Sequence, residues 1–358
     1  MKGKEPALKP LLLAIVLSSI GAFCAEPAFA QKCSSIFSSQ YALDGKVEVD
    51  LPAVRSAKTA TEYANTITEI NSLIAPLEIP GQVKVSVGTA FKFSHFNAGD
   101  FSIYIGVRPD SMGKMNPKVN QTTMAHEYAH AIFEHNLIKD LESYKSLRNK
   151  AVNLEAQVEA AARESKNLVY RSDVTFDKKK KQQLQWQAIE KMLESKSLKK
   201  EFKAFQRYWI IRTAFHELFA DSVALTYTRD PKSIATLLKS KEEKNKEFSS
   251  NDIILRDFTD GRHHRNEQTW KKEHPFYTEF AADVYYSFLP ARWELWNIVK
   301  NKIDSENYRK ELPYKVFSIL ERNLSESLAL SPETVGPTGL KDIQRMNDQI
   351  IEDFRREL

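Results

Sequence analysis

Cysteine is nearly absent: the 358 residues contain two, Cys24 and Cys33. Long hydrophobic runs are missing as well. The nearest approach, Leu11 to Phe23, falls well short of the roughly 20 apolar residues that cross a bilayer. Neither sign of charge dominates, since 52 Lys and Arg against 47 Asp and Glu leave a formal +5. That balance is too mild to indicate nucleic acid and fits a solvated surface. The chain has no internal repeat and no long low-complexity segment.

What stands at the start reads as an export signal. Lys2, Lys4 and Lys9 precede the apolar run, and Ala28-Phe29-Ala30 offers small-x-small residues for cleavage. Lipidation would need a small residue before a cysteine, whereas Phe23 precedes Cys24 and Lys32 precedes Cys33. The expectation is a signal peptide over 1–30 and an exported protein, periplasmic or secreted, over 31–358 with no transmembrane segment after cleavage. Its charge is then +4 and Cys33 is its one cysteine. An intramolecular disulfide is thereby excluded, although the compartment would permit one.

Hydrophobic periodicity organises the rest. Ala60, Tyr63, Ala64, Ile67, Ile70 and Ile74 share one helical face over 59–75, closed by Pro76. Val83 to Val87 and Phe101 to Val107 read as strands, with Asn97-Ala98-Gly99-Asp100 as a turn before the second. From about Asn120 the chain reads as almost continuously helical. Leu147, Ala151, Leu154, Val158, Ala161, Ser165 and Leu168 form a seam of alternating threes and fours. Leu184 to Tyr227 supplies its partner, through Ile189, Met192, Leu198, Phe202, Phe205 and Trp209. Asp173 to Lys181, with its four consecutive lysines, reads as a solvated turn at the hairpin tip. Residues 228–275 are polar and turn-rich. Helices are expected over Phe276–Lys300, Tyr308–Leu330 and Leu340–Leu358, the last two separated by the proline-containing loop Ser331–Gly339. The fold class is mainly α with a small β-sheet (α+β).

The chemistry concentrates in His126-Glu127-Tyr128-Ala129-His130. Residues four apart on a helix share a face, so both imidazoles can bind one metal ion. Glu127 between them reaches the water that completes the coordination and can act as its general base. Uncharged flanks, Thr123-Met124-Ala125 and Ala131-Ile132-Phe133, mark a helix buried on two sides. A catalytic zinc site needs a third protein ligand, and the best candidate is Glu217 in Glu217-Leu218-Phe219-Ala220-Asp221. Asp221, on the same face, is expected to accept the free imidazole N–H of one ligand, His126.

A HExxH helix followed by an ExxAD helix, with Ala224 three residues beyond, resembles the gluzincin zinc metallopeptidases, most of all the HtpX-like branch that includes the CAAX prenyl proteases. The resemblance covers the two core helices. It implies a zincin-like core, zinc (Zn2+) held by His126, His130 and Glu217, Glu127 as catalytic base, and Asp221 behind the ligands. Three departures stand out. The HtpX-like and prenyl-protease members are membrane-embedded, whereas this chain has no spanning segment after its signal. Residues 140–200 form a helical hairpin inserted between the two zinc helices. The His-Pro element of that branch is present as His274-Pro275, with Arg292 as its distant arginine.

Charge on the tetrahedral intermediate needs a further donor. His274, Tyr277, His263, His264 and Arg292 are the candidates, and His274 is favoured. His95, His135 and His216 are assigned to structure or surface. The expected reaction is peptide-bond hydrolysis of an envelope or extracellular protein or peptide, laid as an extended strand along Phe101–Val107. A rival is a metal-containing scaffold that contacts a partner through its hairpin, and a third reading is a peptidase inhibited by its own insertion. Structural zinc sites favour four protein ligands and cysteine, which tells against the scaffold.

Overall fold

The computed structural model describes residues 40–43, 47–50, 57–78, 83–88, 94–106, 117–245, 256–259, 287–328 and 340–358. The expected signal peptide over 1–30, Cys33, His263, His264, His274 and Tyr277 lie outside them.

Five short strands form one mixed sheet: β1 (Gln40–Leu43), β2 (Val47–Asp50), β3 (Val83–Gly88), β4 (His95–Asn97) and β5 (Ser102–Gly106), in the order β1-β2-β3-β5-β4. β3 runs parallel to β2 and β5, while the two outer pairs are antiparallel. The alternation read in the sequence sends Val83, Val85, Ile103 and Ile105 to one buried face. One expectation is overturned. Phe101–Val107 is not an edge, because β4 pairs with it antiparallel, His95 opposite Tyr104. The turn residues are responsible. Asn97 Oδ1 accepts the Gly99 N–H at 2.8 Å, and Asp100 Oδ1 accepts the Ser102 N–H at 3.1 Å. With Phe101 at a left-handed φ of 55°, the chain reverses and three residues too few to read as a strand fold back onto β5.

Helices make up most of the rest: α1 (Ala57–Ile74), α2 (Pro117–Asp140), α3 (Glu142–Asp173), α4 (Lys178–Thr228), α5 (Ser233–Asn245), α6 (Leu289–Val299), α7 (Glu306–Leu328) and α8 (Leu340–Glu357). The molecule is mainly helical with a small sheet. α2 is the central element and packs against α1, α4, β4 and β5. Met124, Ala125, Tyr128, Ala129, Ala131, Ile132 and Phe133 are all buried, so it has no solvent face over this stretch. Tyr128 Oη donates to Asn71 Oδ1 of α1 at 2.9 Å, and Asn136 Nδ2 donates to the Glu78 carbonyl at 2.9 Å. Phe133 stacks on Phe219 of α4 (centroids 4.8 Å) and meets Phe317 of α7 edge-on (5.6 Å). α6 and α7 pack against α8, where Asn323 Nδ2 donates to buried Asp353 at 2.8 Å.

The second arm of the hairpin, read from the sequence as Leu184 to Tyr227, runs unbroken through Glu217 as one helix of 51 residues, α4, so the bound at residue 200 falls inside it. The cause is compositional, since no glycine or proline occurs between Lys178 and Thr228 and nothing there interrupts the ladder. The lysine run is no turn. The reversal spans Val174–Asp177, and Asp177 caps α4 by accepting the N–H groups of Lys179 and Lys180, so Lys178–Lys181 form the first helical turn. Arms α3 and α4 lie antiparallel, pinned by Ser165 Oγ donating to the Ala188 carbonyl at 2.9 Å.

Candidate metal centre

Two helices deliver the expected residues to one point. His126 and His130, one turn apart on α2, bring their Nε2 atoms to 3.1 Å. Glu217 of α4 places Oε2 3.4 Å from His126 Nε2 and Oε1 3.7 Å from His130 Nε2. A tetrahedral ion with ligands about 2.0–2.1 Å away sets such donors roughly 3.3 Å apart. All three residues are buried, and among the described residues they are the group able to hold a metal ion. The arrangement has a donor set and a spacing that fit one divalent cation.

Asp221 stands behind the ligands as expected, its Oδ1 3.1 Å from His126 Nδ1. One turn of α4 thus presents Glu217 to one ring nitrogen and Asp221 to the other, fixing the imidazole's orientation. Asp221 is itself clamped by two arginines. Arg292 Nε of α6 donates to Oδ2 at 2.8 Å, and Arg256 Nη2 donates to Oδ1. Burial opposes ionisation of Asp221, but Arg256 and Arg292 together hold its carboxyl well below the usual range. Arg292, a candidate for charge stabilisation in the sequence, is therefore spent on Asp221.

Arg256 was not legible from the sequence, because the polar stretch around it carries no motif. Its Nη1 is 3.1 Å from Glu217 Oε2, and its Nη2 lies 3.3 Å from His126 Nε2. Burial raises the Glu217 pKa, yet Arg256 and the facing histidines bring it down to about 2. For His126, burial works against the imidazolium, but hydrogen bonds to Asp221 and Glu217 prevail and push it up to about 9. His130 goes the other way: burial, joined by the charge of His126, holds it well below 6.5.

Glu127 is buried on the same turn of α2. His274, favoured in the sequence, lies outside the described residues, as do Tyr277, His263 and His264. His216 is buried between the two clusters: its ring stacks on that of His130 (centroids 5.8 Å), and its Nε2 lies 3.1 Å from Glu134 Oε2. Around fully buried Glu134 gather Arg212 Nη2 at 2.5 Å, Arg148 Nε at 2.7 Å and the Tyr144 hydroxyl. This cluster joins the HExxH helix to the base of the hairpin. Arg148 also donates to the Ala98 carbonyl in the β4–β5 turn and lies over the Phe101 ring at 5.6 Å. Compared with protein-family models, with curated proteins and with solved structures, the chain finds no match.

Proposed function

We propose that the protein is a zinc-dependent endopeptidase of gluzincin type, with a zincin-like core formed by the sheet, α2 and the second half of α4. The observation that carries this reading is the convergence of His126, His130 and Glu217 from two helices, with Asp221 on the far nitrogen of His126. Three protein ligands, none of them cysteine, suit a catalytic ion better than a structural one. Bound there, zinc would polarise the scissile carbonyl and acidify a water molecule. Glu127 is the general base, taking the proton from the attacking water and passing it to the leaving amine. Asp221 keeps His126 in the tautomer whose Nε2 lone pair faces the ion, and Arg256 and Arg292 keep Asp221 ionised. The substrate is an extended peptide, and β4 is the strand that supports this mode. It is one of the two outer strands of the sheet and packs against α2, and among the described residues no strand pairs with its other side, where main-chain groups could take an added strand.

Metal analysis and proteolysis of unfolded casein test the proposal together. Glu127→Ala is expected to retain metal and to lose activity by roughly 10²–10⁴-fold. Glu217→Ala is expected to lose most of the metal. No cleavage by zinc-replete protein, or cleavage insensitive to a chelator, overturns the assignment. His274→Ala is expected to lower turnover with metal content unchanged, and unaltered turnover removes His274 from the mechanism.

A further inference from the structure

Away from the core, the α3–α4 hairpin is held by a small apolar cluster of its own, Leu168, Leu184 and Ala188. Its end is unlike the rest of the described surface. Six large apolar side chains are exposed among the described residues, and four of them crowd this tip. Phe176 is 102% exposed, Tyr170 68%, Trp186 66% and Val174 55%. The turn that presents them is internally satisfied. Thr175 Oγ1 donates to the Arg171 carbonyl at 2.7 Å, and Asp177 caps α4. Phe176 is therefore displayed by a built turn.

Charge accompanies the apolar groups. Over residues 171–181 stand Arg171 and Lys178–Lys181 against Asp173 and Asp177, a net of +3. The geometry also limits what can cover the tip. On α3 the seam residues Ala161, Ser165, Leu168 and Ser172 are buried, and Tyr170 lies about half a turn round from them. On α4, Trp186 stands in the same relation to buried Leu184 and Ala188. The two rings point out on opposite flanks of a two-helix layer. A protein surface pressed against one flank would leave the other ring in water. A medium that surrounds the end of the hairpin covers both.

We propose that the hairpin tip docks end-on into the surface of an anionic lipid bilayer. Phe176 and Val174 lead into the acyl boundary, and the lysine stems lie along them with their ammonium groups on lipid phosphates. Tyr170 takes the headgroup level that amphipathic aromatic rings favour. Trp186, about 12 Å along the helix from Lys178, stays at the outer edge of the headgroup layer. No helix among the described residues is long and apolar enough to cross a membrane, so the contact is peripheral and reversible.

The test is flotation of the full chain with vesicles of phosphatidylcholine alone or mixed with phosphatidylglycerol. Binding to the anionic vesicles is expected to exceed that to neutral ones by tenfold or more and to weaken with added salt. Replacing Lys178–Lys181 with glutamine should cost on the order of fivefold per lysine, and the Val174→Ser, Phe176→Ser pair about tenfold or more. These side chains face solvent, so unchanged circular dichroism and melting will show that the variants are folded. Equal binding to both vesicle types, no binding, or binding that survives both sets of substitutions overturns the proposal; capture of a protein partner by the tip without vesicle binding does so too. Vesicle binding is read equally well on Glu127→Ala protein, so its outcome is independent of the peptidase reading.

Discussion

Asp221 is the residue on which the proposed site turns, although it touches no substrate. Its carboxylate reaches His126 on one side and two arginines on the other. Asp221→Asn keeps the shape but loses the charge that anchors the imidazole, and metal affinity is expected to fall about 10–100-fold. Competition with a chromogenic chelator would measure it, and unchanged affinity would refute the role. The proposed ligands and Asp221 were legible because a helix repeats every 3.6 residues, so spacings of four place side chains on one face whatever the rest of the chain does. Arg256 was not, because it reaches the ligands from a polar segment across 35 residues of sequence from Asp221. Only tertiary folding creates that contact. His216 shows the converse: beside Glu217 in sequence, it turns its Nε2 to Glu134 and only stacks its ring on His130.

At the scale of elements, Glu134 is where α2, α3 and α4 meet. Burial alone would raise its pKa, but Arg212, His216 and Tyr144 keep it well below the ordinary 4.5. A carboxyl depressed in the folded state contributes stability that is complete above the unfolded value and is lost as pH falls through the folded one. Chemical-denaturation midpoints should therefore drop as pH falls below about 4.5, and less steeply in Glu134→Gln. At neutral pH that variant should be less stable, by about 3–5 kcal/mol, because Arg212 and Arg148 lose their counter-charge; equal slopes would rule the linkage out. The helices themselves were readable from periodicity, and α1, α7 and α8 begin and end within two residues of expectation. The sheet was less so. β4 has three residues, too few to show alternation, and its existence rests on the turn at 98–101 bringing it beside β5. The lysine run was misread as a turn for a related reason, since a capped first helical turn and a polar loop have the same composition until Asp177 is seen to cap.

For the whole molecule, the hairpin is two things at once: a base that belongs to the core and an arm that does not. Tyr144, Arg148 and Arg212 tie the base to Glu134, whereas beyond Val158 and Ser195, which face each other at 3.4 Å, the arms rely on their own seam. Removing residues 159–194 and closing the gap with a short flexible turn should leave the melting temperature and metal content close to wild type. Removing 140–200 should not, because Tyr144 and Arg148 go with it; similar melting of the two deletions would show that the base adds nothing. The unbroken course of α4 has one more consequence. Lys178 and Glu217 are 39 residues apart on one rod, about 59 Å at 1.5 Å per residue. Every residue gained or lost between them would shift that separation by one step and swing the lysine end by about 100° about the rod's axis. Length and azimuth are thus geared together, and evolution can retune one only by accepting a set increment of the other.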